Sequence, residues 1–214
     1  MSISLLVTRP NHDHATNYLC CWSTYVIKEA EKKRIDVYDL DGNKANKKTF
    51  DSYLVSKNPK IIFLNGHGDK NNLTGYNNEI LLQIGGKQIL NGNIIYARSC
   101  DAAVNLGREL ISRGAKVFIG YNRKFNVVYT LSKIFKPLED FLAKQFLEPS
   151  NLVVTTIIKG NSVEDSDRRS KDAMRKNFRK MLSSNASYEE TFAAPYLWSN
   201  IKGQIVYGDI KAKI

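Results

Sequence analysis

Short runs of apolar, mostly β-branched residues recur along the chain: ISLLVT at 3–8, IDVYDL at 35–40, IIFLN at 61–65, IIYAR at 94–98, KVFIGY at 116–121 and QIVYGD at 204–209. Each is strand length and bounded by polar or turn-forming residues. Between them lie stretches of helical periodicity, at roughly 15–33, 47–56, 103–113 and 130–147. In AVNLGRELISRGAK, for example, Val104, Leu106, Leu110 and Ile111 form a mostly one-sided stripe, and Gly114 stands where a C-terminal cap belongs. Strands alternating with helices predict βαβ units. Strands apolar on both faces predict that helices cover both. The expected fold is therefore a three-layer α/β/α sandwich around a mainly parallel sheet of about six strands, in one domain spanning 1–214.

Two stretches read as looser. GDKNNLTGYNNE at 68–79 is dense in Asn and Gly and is expected to be an exposed, mobile loop. In KGNSVEDSD at 159–167, Ser162 followed three residues later by Asp165 is expected to cap a long basic helix ending near Ser184. No internal repeat, low-complexity tract or domain boundary stands out.

A chain of 214 residues with 43% hydrophobic and 10% aromatic residues can bury a substantial core, which sets it apart from disordered proteins. The net charge of +11, from 32 Lys and Arg against 21 Asp and Glu, raises the question of anionic partners. The densest basic runs, KKR at 32–34 and DRRSKDAMRKNFRK at 167–180, fall in helical segments and read as solvated faces. The aromatic and basic signatures of the common nucleic-acid modules are missing, so nucleic acid is not an expected partner. Three cysteines, two of them adjacent, do not make a disulfide framework, and the expected location is the reducing cytoplasm. The first apolar run stops at Arg9 and Pro10, too short for a signal segment or a membrane span, so no membrane association is expected.

The chemistry lies in two strand ends. IIFLNGHGD at 61–69 carries His67 between Gly66 and Gly68, and NIIYARSCDAA at 93–103 carries Cys100. Open parallel sheets build their sites beyond the carboxyl ends of the strands. If these two strands are neighbours, the thiol and the imidazole emerge side by side as nucleophile and base. A helix starting after Cys100 would favour thiolate, and the Gly68 and Cys100 amides would hold a tetrahedral oxyanion. Alone, such a cysteine is commonly a small core residue and such a histidine a turn residue. Their joint placement is what favours a dyad. HDH at 12–14 with CC at 20–21 matches no zinc spacing, and IGG at 84–86 is not a dinucleotide fingerprint. Neither a metal nor a cofactor is expected.

Strand then NGHG, strand then ARSCDA, a helix and the strand GAKVFIGY resemble the caspase-haemoglobinase fold of cysteine peptidases, closest to its CHAT-type and gingipain-like members. The terminal VYGD is similar to the Gly-Asp that often ends the last core strand there. The resemblance covers most of the chain and is densest over 61–121. It implies His67 as general base, Cys100 as nucleophile, Gly68 and Cys100 as oxyanion donors, and a protein or peptide as substrate. The caspase sequence around the cysteine is absent, so specificity for Asp is not implied. Asp69, Asp101 and Asp209 each follow a strand-end motif; as pocket carboxylates they would favour cleavage after Arg or Lys. The competing reading is a non-catalytic caspase-like binding or scaffolding module in a bacterial defence or regulatory complex, with a regulatory protein as partner.

Overall fold

Alternation along each strand sends side chains to opposite faces of one sheet, and the core divides accordingly. In the computed structural model, which describes residues 3–214, the strands are β1 Ser4–Arg9, β2 Asp36–Asp41, β3 Ile61–Asn65, β4 Asn72–Thr74, β5 Ile80–Gln83, β6 Ile94–Arg98, β7 Val117–Tyr121 and β8 Gln204–Gly208. The helices are α1 His14–Lys32, α2 Lys47–Lys57, α3 Leu106–Ser112, α4 Phe141–Ile158, α5 Val163–Met181 and α6 Tyr188–Gly203. Six strands form the main sheet in the order β2-β1-β3-β6-β7-β8, parallel except for the last pair.

Leu6, Ile62, Leu64, Ile95, Ala97 and Phe118 face α2 and α3 on one side. Leu5, Val7, Ile61, Phe63, Tyr96 and Ile119 face α1 and α4 on the other. Behind that second face α5 and α6 pack on α4, in a cluster that holds Tyr18, Trp22, Phe146, Met174, Met181 and Leu197. The protein is thus an α/β sandwich of three layers with one thickened side, as the strand pattern predicts.

All six main strands fall where the apolar runs place them, and the Ser162 hydroxyl accepts from the Asp165 amide at 3.1 Å to cap α5. Three expectations change. Residues 68–79 are not a free loop: β4 and β5 pair as a hairpin, and Leu73 and Leu82 are fully buried, the apolar anchor that the Asn-rich composition concealed. Helix α4 begins at Phe141, not near 130, because the Asp140 carboxylate accepts from the Leu142 and Ala143 amides and Pro137 precedes it. Helix α6 lies in a stretch where no helix is expected; its start is a Ser187/Glu190 capping box.

The glycines around His67 owe their identity to this hairpin. A Cβ on Gly66 would lie 2.0 Å from the Thr74 carbonyl oxygen, and one on Gly68 would lie 3.0 Å from the Asn72 carbonyl oxygen and the Ser99 hydroxyl. Thr74 donates its amide to the His67 carbonyl at 2.9 Å, so the histidine's main chain is tied to β4.

Candidate active site

Strands β3 and β6 are adjacent and parallel, with Asn65 opposite Arg98 as the last aligned pair. His67 and Cys100 each stand two residues beyond that pair, on neighbouring strand ends. The Ser99 side chain presses on Gly68, so the two loops touch next to both residues. Beneath them the Arg98 guanidinium donates to Asn65 Oδ1 at 2.7 Å, which joins the two strand ends through their side chains.

His67 has a partner the spacing did not announce. Asp13 Oδ2 lies 2.6 Å from His67 Nε2, while Asp13 Oδ1 accepts from the Thr16 amide at 2.8 Å and caps α1. The carboxylate is thus fixed by the helix and aimed at the imidazole. Partial burial works to raise its pKa, but the hydrogen bonds from His67 and Thr16 outweigh that and hold it at about 2. An ionised carboxylate at Nε2 favours the tautomer with its proton there, leaving Nδ1 as the acceptor.

Cys100 is half-buried, and its thiol contacts the Phe125 carbonyl at 4.0 Å; it makes no hydrogen bond to His67. Burial raises the thiol pKa, Asp101 adds to the rise, and the Phe125 main chain and Lys124 pull the other way. The helix expected directly after the cysteine starts only at Leu106. Residues 101–105 form a turn, with Asp101 in the left-handed region at φ 55°, so no helix N-terminus lowers this thiol. Neither the Gly68 nor the Cys100 amide has an acceptor among the described residues, because Gly68 occupies the non-hydrogen-bonded position of its bridge to Leu73. Both donors are free for an incoming oxygen.

The three aspartates separate. Asp69 spends its carboxylate on the amides of Asn71 and Asn72 at 2.7 and 2.8 Å, a turn-forming role. Asp209 is at the wrong end: β8 runs antiparallel and Gly208 lies opposite Val117, the first residue of β7, so Asp209 sits at the edge away from Cys100 and pairs with Lys116. Only Asp101 remains beside the thiol. A groove of about 810 Å³ between Lys47, Leu54, Ile80 and Ile89 lies away from His67 and Cys100 as well.

HDH and CC part company. Cys20 is buried against Arg9, whose Nη1 lies 3.4 Å from its sulfur, whereas His12 and Asp13 turn towards His67. The clue to Asp13 was available: β1 also ends at this edge, next to β3, and strand-end reasoning applied there selects the loop after Arg9. Arg98, fully buried, was hidden inside an apolar run. No protein-family model matches the chain, and no curated protein sequence matches it.

Proposed function

We propose that the chain is a cysteine endopeptidase of the caspase-like type, with Cys100 as nucleophile, His67 as base and Asp13 as the group that orients the base. The observation that carries this reading is the register of β3 and β6, which sets His67 and Cys100 at equivalent positions on adjacent strand ends. In the proposed reaction His67 Nδ1 takes the thiol proton as Cys100 Sγ attacks the peptide carbonyl carbon. The carbonyl electron pair moves to oxygen, held by the Gly68 and Cys100 amides. Collapse of the intermediate expels the amine, which takes its proton from His67, and leaves a thioester. Water, giving a proton to His67, then releases the acid and restores the thiol.

The raised thiol pKa makes the resting state a neutral thiol turned towards Phe125. On this reading substrate binding swings the sulfur towards His67. A preference for cleavage after Arg or Lys then rests on Asp101 alone, and peptides differing only at the residue before the cut test it. The same thiol placement favours the second reading, a caspase-like binding module with a dispensable dyad.

Iodoacetamide labelling followed by peptide mapping, combined with hydrolysis of a fluorogenic peptide library, separates the two. The peptidase reading expects hydrolysis that falls by several orders of magnitude in Cys100→Ala and in His67→Ala. A Cys100→Ala protein that cleaves at the wild-type rate overturns it, and a wild-type chain that hydrolyses no peptide while Cys100 labels no faster than Cys21 favours the binding module.

A further inference from the structure

Strand order reverses at β1, which has β2 on one side and β3 on the other. The loops leaving the carboxyl ends of β1 and β3 therefore flank the sheet's topological switch point, the place where α/β sheets hold ligands. The β1 loop brings His12 and Asp13 there, and the β3 loop brings His67. One ligand atom from each of the three lies within 4.8 Å of the others. His12 Nε2 is 3.7 Å from Asp13 Oδ2 and 3.4 Å from Asn78 Oδ1, and His67 Nε2 is 2.6 Å from the same Asp13 oxygen. The edge of a tetrahedron around Zn²⁺ with bonds of about 2.0–2.1 Å is roughly 3.3 Å. Two of these spacings are close to that edge, and the third needs Asp13 and His67 to part by less than an ångström.

His12 adds an independent sign. Its side chain is only 9% exposed, yet its ring makes one long hydrogen bond, to Asn78, beside the 3.7 Å approach to Asp13, and its Nδ1 is buried with no hydrogen-bond partner. A nine-tenths-buried imidazole held so loosely by protein atoms keeps its Nε2 available to a ligand. Its Nε2 points to Asp13, Asn78 and the His67 ring, whose centroid is 6.0 Å from its own. Two imidazoles with a carboxylate and an amide oxygen suit Zn²⁺, Co²⁺ or Ni²⁺ rather than Mg²⁺ or Ca²⁺.

We infer that His12, Asp13 and His67, with Asn78 as the fourth ligand, form a Zn²⁺ site at the switch point, and that zinc bound there silences the dyad. The silencing rests on the proposed peptidase reading. Zinc on His67 Nε2 takes the lone pair that faces Asp13 and leaves the ring proton on Nδ1, the atom that must accept from Cys100. A base so occupied cannot remove the thiol proton.

The test is metal titration of the full chain, read by competition with a chromophoric chelator for Zn²⁺ and by visible absorption of the Co²⁺ form. Expected are one equivalent bound, affinity at least tenfold weaker in His12→Ala and in the nearly isosteric His12→Gln, and unchanged affinity in Cys100→Ala. Undiminished binding in both His12 variants, or loss of binding in Cys100→Ala, overturns the site. These readouts need no enzymatic activity, so they decide the metal site even in a chain that cleaves no peptide. Where hydrolysis is measurable, the zinc concentration that halves each protein's own metal-free rate should rise at least tenfold in His12→Ala. An unchanged value overturns the silencing.

Discussion

At the scale of single residues the site turns on which nitrogen of His67 carries the proton. Asp13 decides it, being ionised and 2.6 Å from Nε2. Asp13→Asn should keep the α1 cap, since Asn caps as well as Asp. It would present an N–H to Nε2 and so drive the proton to Nδ1. On the proposed peptidase reading the expected outcome is a fall in kcat of about 10²–10⁴ with little change in KM, by analogy with an amide replacing the orienting carboxylate of a triad. Steady-state kinetics and a melting curve check it: an unchanged kcat would remove Asp13 from the proposed catalytic set. Cys20 offers a second residue-level expectation. Burial pushes its thiol up to about 12, against the pull of Arg9. A folded pKa above the unfolded value contributes stability that is complete below the unfolded thiol range and is lost as pH rises towards the folded value. Between about pH 9 and 12 the wild type should therefore lose stability faster than Cys20→Ala. Denaturant titrations of both proteins at pH 8 and pH 10.5 measure the difference, and parallel losses would show that the thiol titrates alike in the folded and unfolded states.

At the scale of elements the His67 loop is anchored where the Asn-rich sequence implies mobility. Leu73, Leu81 and Leu82 anchor the β4–β5 hairpin, Asp69 closes its first turn, and Tyr76 donates its amide to the Ala45 carbonyl. The looser connection is 122–140, mostly without regular structure, with Leu131 77% and Phe135 89% exposed. Trypsin is expected to cut first at Arg123, Lys124 or Lys133 and to spare Lys70, because local opening is easiest where few apolar contacts and main-chain bonds hold the backbone. Mass spectrometry of early fragments decides it; a first cut at Lys70 would mean the hairpin opens readily. This contrast shows what the sequence could carry. Strand period, strand length and the Ser162 cap are local signals, so six strands and α5 were legible. The hairpin was not, because its three leucines lie among polar residues and acquire meaning only when α2 packs against β5 and they join the core on that face of the sheet. The same holds for the site: His67 and Cys100 follow from strand ends, but Asp13 depends on strand order, which periodicity does not encode.

At the scale of the whole molecule one buried cation links the layers. Arg98 is fully buried, stacked 4.7 Å from the Phe63 ring, and donates to Asn65 on β3, to Leu19 and Ser23 on α1 and to Ser150 and Asn151 on α4. No carboxylate is among these partners. Burial lowers its pKa to about 10, which leaves it charged at neutral pH, its charge spread over neutral acceptors and an aromatic face. A guanidinium has five N–H donors in a fixed fork, and five acceptors meet them here. Lysine has three donors on a flexible stem and cannot reproduce the geometry. Arg98→Lys should therefore be clearly destabilising, and Arg98→Met more so, because it takes the donor from buried acceptors, Asn65 Oδ1 and Asn151 Oδ1 among them. Loss of one partner from a buried charged network costs about 3–5 kcal/mol, a fall in Tm on the order of 10 °C for a chain of this size. The damage should also reach the candidate site, since Arg98 ties β6 to β3 directly beneath Cys100 and His67. In Arg98→Lys, held well below its melting temperature, Cys100 should alkylate at an altered rate while the exposed fraction of Cys21 reacts as before. Calorimetry and thiol labelling on one preparation separate the two effects: a lowered Tm with unchanged Cys100 reactivity would confine Arg98 to stability and leave alignment of the strand ends to the main-chain ladder alone.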